Sequence, residues 1–593
     1  MQKFLAILRP DGRQDRPVRI SDALAQFPGF SVLVEQRDFC LAASDGTPSQ
    51  ILGKGKAALI GQAFRAGTSE PARLHPDFAD LPEDRALRQL SQELWGNFLL
   101  LMRDEPGSGF HIIRPPFGHL PCFYSWMGGQ LLLASDTDLL KLAGWSPAGL
   151  DWGAIARRVA LRDIPSTRTC LEDVHELRGG SRLHVTGGAV SITQTWTPWD
   201  HAGRDRWVEQ QEDAVDCVRQ AISTAIRAAT VGAKRALLML SGGIDSSILA
   251  ASLGTHGCPY TCLNLTSAGA AGDERAYARA VASHLGVRLI EAQWDVTTVD
   301  IFRSEARNLP NPIARSFMQG TCRRLAQAVE ASEADLTLDG GGGDNMFFAL
   351  RSVAPVTDAL LWGRSIAQCW STARSIAELA QVSMATVLRR AGARAFRFSP
   401  AYRWQVEHNF LAPDILQSED LQPRHPWIEP PRGAETGTAA HIALLTAAQG
   451  WAEGNDLHSP VRHRSPLASQ PVAEACLKVP SWWWFKEGIN RIIARDAFRE
   501  RLPPAILERK AKGSPDSYIG EIFTANRHHI RSLLLEGAMA RAHLLDLPRL
   551  EHALASQELV QGTDYHRIMA LADVEAWIAA QGSPPEKARV AAK

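Results

Sequence analysis

The sequence has no apolar run near the roughly 18 residues that a membrane-spanning helix requires. Its first apolar run, Phe4–Leu8, is too short for a signal peptide, so we expect a cytoplasmic protein without a membrane span. Nine cysteines are scattered without a CxxC pair, and Cys258 and Cys262 lack a second pair at zinc spacing. This argues against a disulfide framework or a zinc ribbon, and we expect reduced, mostly buried cysteines.

An excess of charge of either sign is also missing, since 64 Lys and Arg residues balance 64 Asp and Glu residues. A neutral chain has no bulk attraction for nucleic acid or for an anionic membrane, so neither partner is expected. The 593 residues exceed one average domain of about 150 residues. We place a boundary in the Pro-containing stretch 196–210, which gives domains 1–205 and 206–593.

Residues 1–205 are rich in predicted strands. Two glycine pairs, Gly128-Gly129 and Gly187-Gly188, each separate two apolar or alternating runs, which is a hairpin signal. We predict a β-rich domain with few helices. The main predicted strands are residues 30–34, 98–102, 122–126, 130–135, 181–185 and 189–195.

From residue 206 onward, short apolar runs alternate with helical patterns. This alternation predicts a parallel, doubly wound sheet, in which ligands bind at the carboxyl ends of the strands. The predicted strands are residues 237–240, 260–265, 287–290 and 336–338, and the predicted helices are residues 207–230, 244–250, 273–285, 316–331, 491–502 and 565–580.

A loop of small residues, 240–247, follows the first of these strands. Gly242 and Gly243 let the backbone approach an anion, and the serines after Asp245 begin a helix whose free N–H groups favour phosphate. Asp245 alone would repel phosphate, so a bridging Mg²⁺ is expected. An ordinary strand–turn–helix connection is the alternative.

A second loop, with four consecutive glycines at 340–343, follows the strand 336–338. Such a run is costly in entropy unless another group must come close. Asp344 directly follows the glycines. The alternative is a flexible surface turn.

The first loop resembles the SGGxDS loop of the ATP pyrophosphatases, which implies ATP as cofactor and an adenylate as product. The second loop resembles the G-x-G-G/S-D-E-x-F loop of the asparagine synthetase superfamily, which implies that Asp344 is a second Mg²⁺ ligand. Asp273-Glu274 resembles the family's acidic pair, or is a helix cap. Residues 509–514 resemble its late basic motif, in which Lys512 rather than Lys510 would neutralise charge on the pyrophosphate.

Pieces of the first domain resemble the glutaminase half of class II amidotransferases, an Ntn-type fold. They are Trp95-Gly-Asn-Phe98, Arg114-Pro-Pro-Phe-Gly118, Pro121-Cys-Phe-Tyr124 and Leu133-Ala-Ser-Asp136. Active members carry a Cys directly after the initiator Met, whereas this sequence has Gln2, and its nearest Cys is Cys40. We therefore expect an inactive glutaminase-like domain. An unrelated β-sandwich is the alternative.

The resemblance is strongest to lasso-peptide macrolactam synthetases, on residues 340–345, 465–471 and 509–514. β-Lactam synthetases carry a Tyr where this sequence has Gly341. The resemblance implies adenylation of an Asp or Glu side chain in a leaderless core peptide, which the peptide's own α-amine then attacks. It also implies a precursor core peptide, a leader-binding protein and a leader peptidase as partners. The alternatives are a small-molecule amide ligase of the asparagine-synthetase or β-lactam-synthetase kind, and a non-catalytic interaction protein.

The expected fold class is thus α/β: a glutaminase-like (Ntn-type) β-rich domain, then a doubly wound ATP-pyrophosphatase domain with helical additions. In the least readable stretch, residues 396–432 are either a lid or an exposed insertion. The run Trp482-Trp483-Trp484 predicts that at least one indole lines a cleft, or else packs on that insertion.

The expected catalytic residues are Lys512, Asp245 and Asp344, and the two aspartates are also the expected metal ligands. The expected ATP-binding residues are Leu240, Ser241, Gly242, Gly243, Asp245, Ser246, Ser247, Leu265, Gly340, Gly341 and Lys512.

Overall fold

The computed structural model describes residues 2–10, 20–24, 29–104, 109–267, 273–363, 365–397, 400–452, 459–510, 513, 515–556 and 564–582. The first part of the chain forms two antiparallel sheets, with strand orders β10-β8-β9-β1-β3-β2 and β12-β11-β7-β6-β5-β4. Their strands are β1 (Phe4–Leu8), β2 (Phe30–Glu35), β3 (Phe39–Ser44), β4 (Ser49–Leu52), β5 (Ala57–Arg65), β6 (Leu94–Arg103), β7 (Phe110–Arg114), β8 (Phe123–Met127), β9 (Gln130–Ala134), β10 (His175–Glu176), β11 (Ser181–Thr186) and β12 (Ala189–Gln194).

The two sheets pack face to face, and helices cover their outer faces. On β1, Phe4 and Leu8 point into the core between the sheets, while Leu5 and Ile7 belong to a second core on the outer face. Both predicted glycine hairpins form, and their glycines adopt the positive φ angles that such tight turns require. Helices along this part are α1 (Ile20–Leu24), α2 (Glu83–Glu93), α3 (Thr137–Leu142) and α4 (Trp152–Ala160).

The second part of the chain contains a five-stranded parallel sheet with strand order β15-β14-β13-β16-β17. Its strands are β13 (Ala236–Met239), β14 (Tyr260–Thr266), β15 (Leu289–Gln293), β16 (Leu336–Leu338) and β17 (Arg462–Arg464), and a small hairpin adds β18 (Phe485–Lys486) and β19 (Ile489–Asn490). The fold is therefore mixed α/β, as expected, and β17 is a strand that sequence patterns did not predict.

Helices surround this sheet and extend beyond it. They are α5 (Gln211–Thr230), α6 (Ile244–Leu253), α7 (Arg275–Leu285), α8 (Met318–Ser332), α9 (Gly343–Met346), α10 (Ala354–Trp362), α11 (Ile366–Ala380), α12 (Met384–Ala395), α13 (Thr436–Ala452), α14 (Gln470–Leu477), α15 (Ile492–Ala497), α16 (Pro504–Leu507), α17 (Asp516–Leu535), α18 (Ala538–Arg541), α19 (Leu547–Ala555) and α20 (Asp564–Ala580). The predicted helix 491–502 was too long, since α15 ends at Ala497. The predicted strand 287–290 was also misplaced, because Gly286 ends α7 in the left-handed conformation and β15 starts only at Leu289.

The aromatic stretches pack inside the molecule. Trp427, within the Pro-rich residues 396–432, is fully buried, and its ring lies 5.8 Å from Phe117 and 5.2 Å from Trp196. At this point the stretch is therefore a strap between the two parts of the chain, and not an exposed insertion. Trp482 and Trp484 are also buried, whereas Trp483 is partly buried, so packing accounts for two of the three indoles.

No helix among the described residues is both long and apolar enough to cross a membrane. All nine cysteines are free thiols, and six of them are buried.

Candidate active site

The two glycine-containing loops meet at the point where the strand order of the parallel sheet reverses. Strands β13 and β16 are direct neighbours, although β14 and β15 lie between them in sequence. The connections after β13 and β16 therefore leave the sheet toward opposite sides, which opens a crevice at their carboxyl ends. Residues 240–243 and 339–342 border this crevice.

The first loop is held in shape by its own hydroxyl groups. The Ser241 amide donates to Ser246 Oγ at 3.3 Å, and the Gly243 amide donates to Ser241 Oγ at 3.2 Å. Ser247 Oγ donates to the Gly243 carbonyl at 2.8 Å. Gly242 has φ +70°, and a Cβ there would lie 2.5 Å from Tyr277 Cβ, so glycine is required at this turn.

Two further predicted residues, Leu240 and Leu265, lie at this edge of the sheet. The Leu240 amide donates to the Leu263 carbonyl, and its own carbonyl accepts from Asn264 Nδ2 at 2.8 Å. Leu265 is on β14, and its side chain packs with the core beside α8. In the structure, Leu240 therefore contributes backbone hydrogen bonds at this edge of the sheet, and Leu265 contributes side-chain packing.

The second loop lies directly against the first. A Cβ at Gly343 would lie 2.5 Å from Asp245 Cγ, and one at Gly340 would lie 2.9 Å from the Ser246 amide nitrogen. Gly341 donates its amide to Asp339 Oδ1 at 3.0 Å. The close approach of the two loops therefore explains Gly340 and Gly343, while Gly342 has φ +79° and a Cβ there would lie 2.8 Å from Ala468 Cβ.

The structure brings the two predicted metal ligands onto one guanidinium. Arg491 Nη1 donates to Asp245 Oδ2 at 2.9 Å and to Asp344 Oδ1 at 2.5 Å. The Asp245 side chain is 6% exposed, whereas that of Asp344 is 51% exposed. Burial alone would lower the pKa of Arg491, but the two carboxylates raise it above its ordinary value. A cation thus already lies between the two aspartates.

Arg491 was missing from the set of predicted site residues. It lies at the N-terminal end of α15 with φ +61°, a left-handed conformation that is uncommon for a residue with a side chain. Its position depends on Arg495, one turn later, whose guanidinium donates to the carbonyls of Leu507 at 2.7 Å and Arg509 at 3.0 Å. Arg495 thereby ties α15 to the basic segment that follows α16.

In the basic segment, Arg509 rather than a lysine makes the described contacts with the first loop. Arg509 donates to the Gly242 carbonyl at 3.1 Å and to Glu274 Oε1 at 2.6 Å, and it stacks over the Tyr277 ring at 3.9 Å. Glu274 Oε1 also accepts from the Gly513 amide at 2.8 Å. Glu274 therefore fastens the basic segment to the start of α7, a role that its sequence position alone does not reveal.

The other predicted residues nearby are less closely involved. Lys510 is exposed and donates to the Glu487 carbonyl at 3.3 Å. Asp273 pairs with its neighbour Arg275 at the protein surface. Lys512, predicted to be catalytic, lies outside the described residues, so its role remains a prediction.

Asp339 is a further acidic group at the crevice, and no role for it was predicted from the sequence. Its Oδ1 accepts from Ser465 Oγ at 2.7 Å, and its Oδ2 lies 3.5 Å from His463 Nε2 on β17. Burial would raise the pKa of the Asp339 carboxyl, but the charge of His463 and the hydrogen bonds lower it below its ordinary value. Asp339 therefore links β16, β17 and the second loop as an ionised group.

A second pocket lies between the antiparallel sheets and β17. Gln2 Oε1 accepts from Asn97 Nδ2 at 3.0 Å and from Arg464 Nη2 at 3.3 Å. His119 and Ser469 also line this pocket, and no cysteine is among its described lining residues. The position where active glutaminases would need a thiol thus holds a carboxamide that joins the two parts of the chain.

These loops define an α/β protein with a ligand crevice at the switch point of a parallel sheet. Residues 217–579 match the family model described as asparagine synthase. Because this match covers more than half of the sequence, the chain belongs to the asparagine synthase family. Members of that family are ATP-dependent ligases that form amide bonds.

Comparison with solved structures gives only weak likenesses. The allosteric regulatory enzyme of purine biosynthesis is similar at 10% identity and a TM-score of 0.20, over 49% of this chain and 74% of that one. Glutamine phosphoribosylpyrophosphate amidotransferase from B. subtilis, complexed with ADP and GMP, is similar at 11% identity and a TM-score of 0.19, over 44% of this chain and 59% of that one. No curated protein sequence matches the chain.

Proposed function

We propose that this protein uses Mg-ATP to adenylate a carboxylate and then joins the activated acyl group to an amine. One observation carries this proposal: the loops after β13 and β16 place Asp245 and Asp344 on a single cation, the Arg491 guanidinium. Two carboxylates that converge on one position are the oxygen donors that Mg²⁺ prefers.

The residues of the crevice fit a nucleotide with its metal. The α6 helix begins directly after the first loop, so its N-terminal end, which favours anions, lies at the carboxyl end of β13. Asp245 and Asp344 would hold Mg²⁺, which when bound offsets phosphate charge. Arg491 would keep the two carboxylates together and contribute a second positive charge beside the pyrophosphate.

We further propose that the acyl acceptor is the α-amine of the same molecule, so that the product is a macrolactam. The pocket around Gln2 contains no described thiol that could release ammonia from glutamine, so a substrate that carries its own amine suits this protein. The substrate would be a leaderless core peptide in which an Asp or Glu side chain is the acyl donor. A leader peptidase and a leader-binding protein would supply it.

The experiment is to search the neighbouring genes for one that encodes a short precursor peptide, and to incubate the full chain with Mg-ATP and the synthetic core of that peptide. Loss of one water from the peptide, with AMP and pyrophosphate as products, supports the proposal. Release of ADP would contradict adenylation. If free ammonia or a small amine is incorporated instead, the protein is a small-molecule amide ligase, and absence of ATP–pyrophosphate exchange with any carboxylate would indicate a non-catalytic protein.

The basic segment supplies a separate test within this proposal. Lys512→Ala should slow ring closure by about 100-fold, since a preorganised cation near the reacting phosphate is worth about 3 kcal/mol. Lys510→Ala is the matched control, because Lys510 is exposed and contacts only the Glu487 carbonyl among described residues. If Lys510→Ala alone stops dehydration of the peptide, our register for this motif is wrong.

A further inference from the structure

We propose that Asp104, His111 and His184 form a binding site for Zn²⁺ on the antiparallel half of the molecule. The three residues lie in the sheet that contains β6, β7 and β11, and none of them takes part in the crevice described above. The proposal is independent of the proposed function.

The sheet itself brings the two imidazoles together. His111 on β7 and His184 on β11 are direct cross-strand partners in an antiparallel pair, so their side chains project from the same face. Their rings stack with centroids 4.2 Å apart. Both rings are therefore positioned by the backbone ladder rather than by a mobile loop.

Asp104, which follows β6, completes the set. His111 Nε2 lies 2.7 Å from Asp104 Oδ1, and His184 Nε2 lies 3.2 Å from Asp104 Oδ2. The three potential ligand atoms all lie within 4.8 Å of one another. A tetrahedral zinc ion with bonds of about 2.0–2.1 Å needs donors roughly 3.3 Å apart. The carboxylate is already close to that spacing from each ring, and the two rings have to tilt toward one another.

Space and access favour an ion at this position. His111 is buried, whereas His184 and Asp104 are 30% and 21% exposed, so the cluster is open on one side only. Gly109 lies beside it with φ +153°, and a Cβ there would lie 3.0 Å from Asp104 Oδ2 and 3.4 Å from His184 Nε2. Any larger residue at 109 would therefore crowd the carboxylate and the exposed ring.

The donor types select the metal. Two imidazole nitrogens and one carboxylate oxygen suit Zn²⁺, whereas Mg²⁺ and Ca²⁺ prefer oxygen ligands alone. Zn²⁺ has no electronic preference for one coordination geometry, so it can accept the arrangement of ligand atoms that the sheet imposes. Three protein ligands leave one position for water. A neutral ring that now donates its Nε2 proton to Asp104 would carry that proton on Nδ1 once Nε2 binds zinc, so the imidazoles bind the ion in their neutral form.

A zinc ion held here would clamp the ends of β6, β7 and β11 together. Anything that binds the folded chain but not the unfolded one raises the unfolding temperature, and the stabilisation grows with the logarithm of the ligand concentration divided by its Kd. The expected role is therefore stabilisation of the glutaminase-like half.

The test is calorimetric titration of the chelator-treated full chain with ZnCl₂. We expect one equivalent of Zn²⁺ to bind, and the unfolding temperature to rise. His184→Gln and Asp104→Asn should each remove that equivalent or weaken it at least 10-fold, without any change in ATP–pyrophosphate exchange. Both changes are made at partly exposed side chains, so that folding is preserved.

His75→Gln is the matched control, since His75 lies beside Asp77 at 3.3 Å on the surface without a second imidazole. This variant should bind zinc as the unchanged protein does. If the zinc stoichiometry and affinity are the same in His184→Gln and Asp104→Asn as in the unchanged protein, or if no zinc binds, the site does not exist and the cluster is only two stacked histidines beside one aspartate.

Discussion

At the scale of single residues, the two aspartates of the crevice differ in what supports them. Asp245 is almost completely buried and has the Arg491 guanidinium as its counterion, while Asp344 is half exposed and shares the same guanidinium. Loss of one partner from a buried pair strands the other charge, whereas loss of an exposed partner costs little. Substitution of either aspartate should therefore remove the same function, but with different effects on the stability of the fold.

We accordingly predict that Asp344→Asn abolishes ATP–pyrophosphate exchange but changes the free energy of unfolding by less than about 1 kcal/mol. Asp245→Asn should abolish exchange and also destabilise the fold by about 3 kcal/mol, because Arg491 loses its buried partner. Exchange assays and urea unfolding of both variants check this. Near-normal exchange in either variant would contradict the assignment of that carboxylate.

Sequence reasoning could propose the two aspartates and the glycines because their chemistry is local: small residues at strand ends, followed by a carboxylate. It could not find Arg491, which lies 246 positions from Asp245 in the sequence. An arginine at the start of a helical pattern looks like an ordinary surface charge. The contact between Glu274 and Arg509 was not predicted either, because only the folded chain brings the two side chains to 2.6 Å from one another.

At the scale of elements, the glycine hairpins and most of the predicted strands lie close to the observed limits, but β1, β3, β4 and β5 were not predicted and the strand 287–290 was misplaced. Strand β17 was also not predicted, because Arg462, His463 and Arg464 contain no apolar residue, and only their pairing with β16 makes them a strand. An edge position tolerates such a sequence, since one side of the strand is not covered by the sheet. Tertiary pairing, and not local propensity, determines this element.

The contact between the two loops predicts a strict requirement for glycine at position 343. Gly343→Ala would place a methyl group 2.5 Å from Asp245 Cγ and so displace the carboxylate. Since a misplacement of about 1 Å costs on the order of 100-fold in rate, we expect that loss in ATP–pyrophosphate exchange. Gly392→Ala is the control: no atom lies within 4 Å of the added group, and α12 should gain about 1 kcal/mol. Equal exchange rates in the two variants would contradict the loop contact.

Asp358, a buried acid that contacts the start of α13, predicts that stability depends on pH. Asp358 on α10 accepts from the Gly437 amide and the Ser481 hydroxyl, each at 2.8 Å. Burial, which outweighs these hydrogen bonds, raises the pKa of Asp358 from 3.8 to about 6. Between these values the folded chain holds a proton that the unfolded chain has lost, so stability falls as pH rises from about 4 to about 6.

Asp358→Asn should remove that fall, since an uncharged amide pays no such penalty and the Ser481 hydroxyl can turn to accept from it. Relative to the variant, the unchanged protein should lose on the order of 2–3 kcal/mol between pH 4 and pH 7. Urea midpoints across this range measure the difference. Asp205→Asn, at an 81% exposed side chain, should follow the unchanged protein. Parallel pH profiles for Asp358→Asn and the unchanged protein would contradict the prediction.

At the scale of the whole molecule, the expected division into residues 1–205 and 206–593 stays a prediction. The core on the outer face of the first sheet contains Leu5 and Ile7 together with Phe523 of α17 and Trp577 of α20. Arg567 of α20 also donates to the Val159 carbonyl at 2.7 Å. This core could not be read from sequence, because Leu5 and Ile7 lie more than 500 positions from Phe523 and Trp577.

We predict from this shared core that neither half is stable alone. Residues 206–593 produced by themselves should aggregate, since α17 and α20 would expose the apolar face that the first sheet covers. Production together with residues 1–205 should restore a soluble complex. Size-exclusion chromatography and resistance to protease check this, and a folded monomer of residues 206–593 alone would contradict it.

The bridge among Asp245, Asp344 and Arg491 also defines what an incoming metal ion has to displace. The Arg491 guanidinium now donates to carboxylate oxygens of both aspartates. Under the proposed function, a divalent cation competes with Arg491 for those same oxygens. Metal binding and the position of this one side chain are therefore coupled, so the crevice exchanges one cation for another when it is loaded.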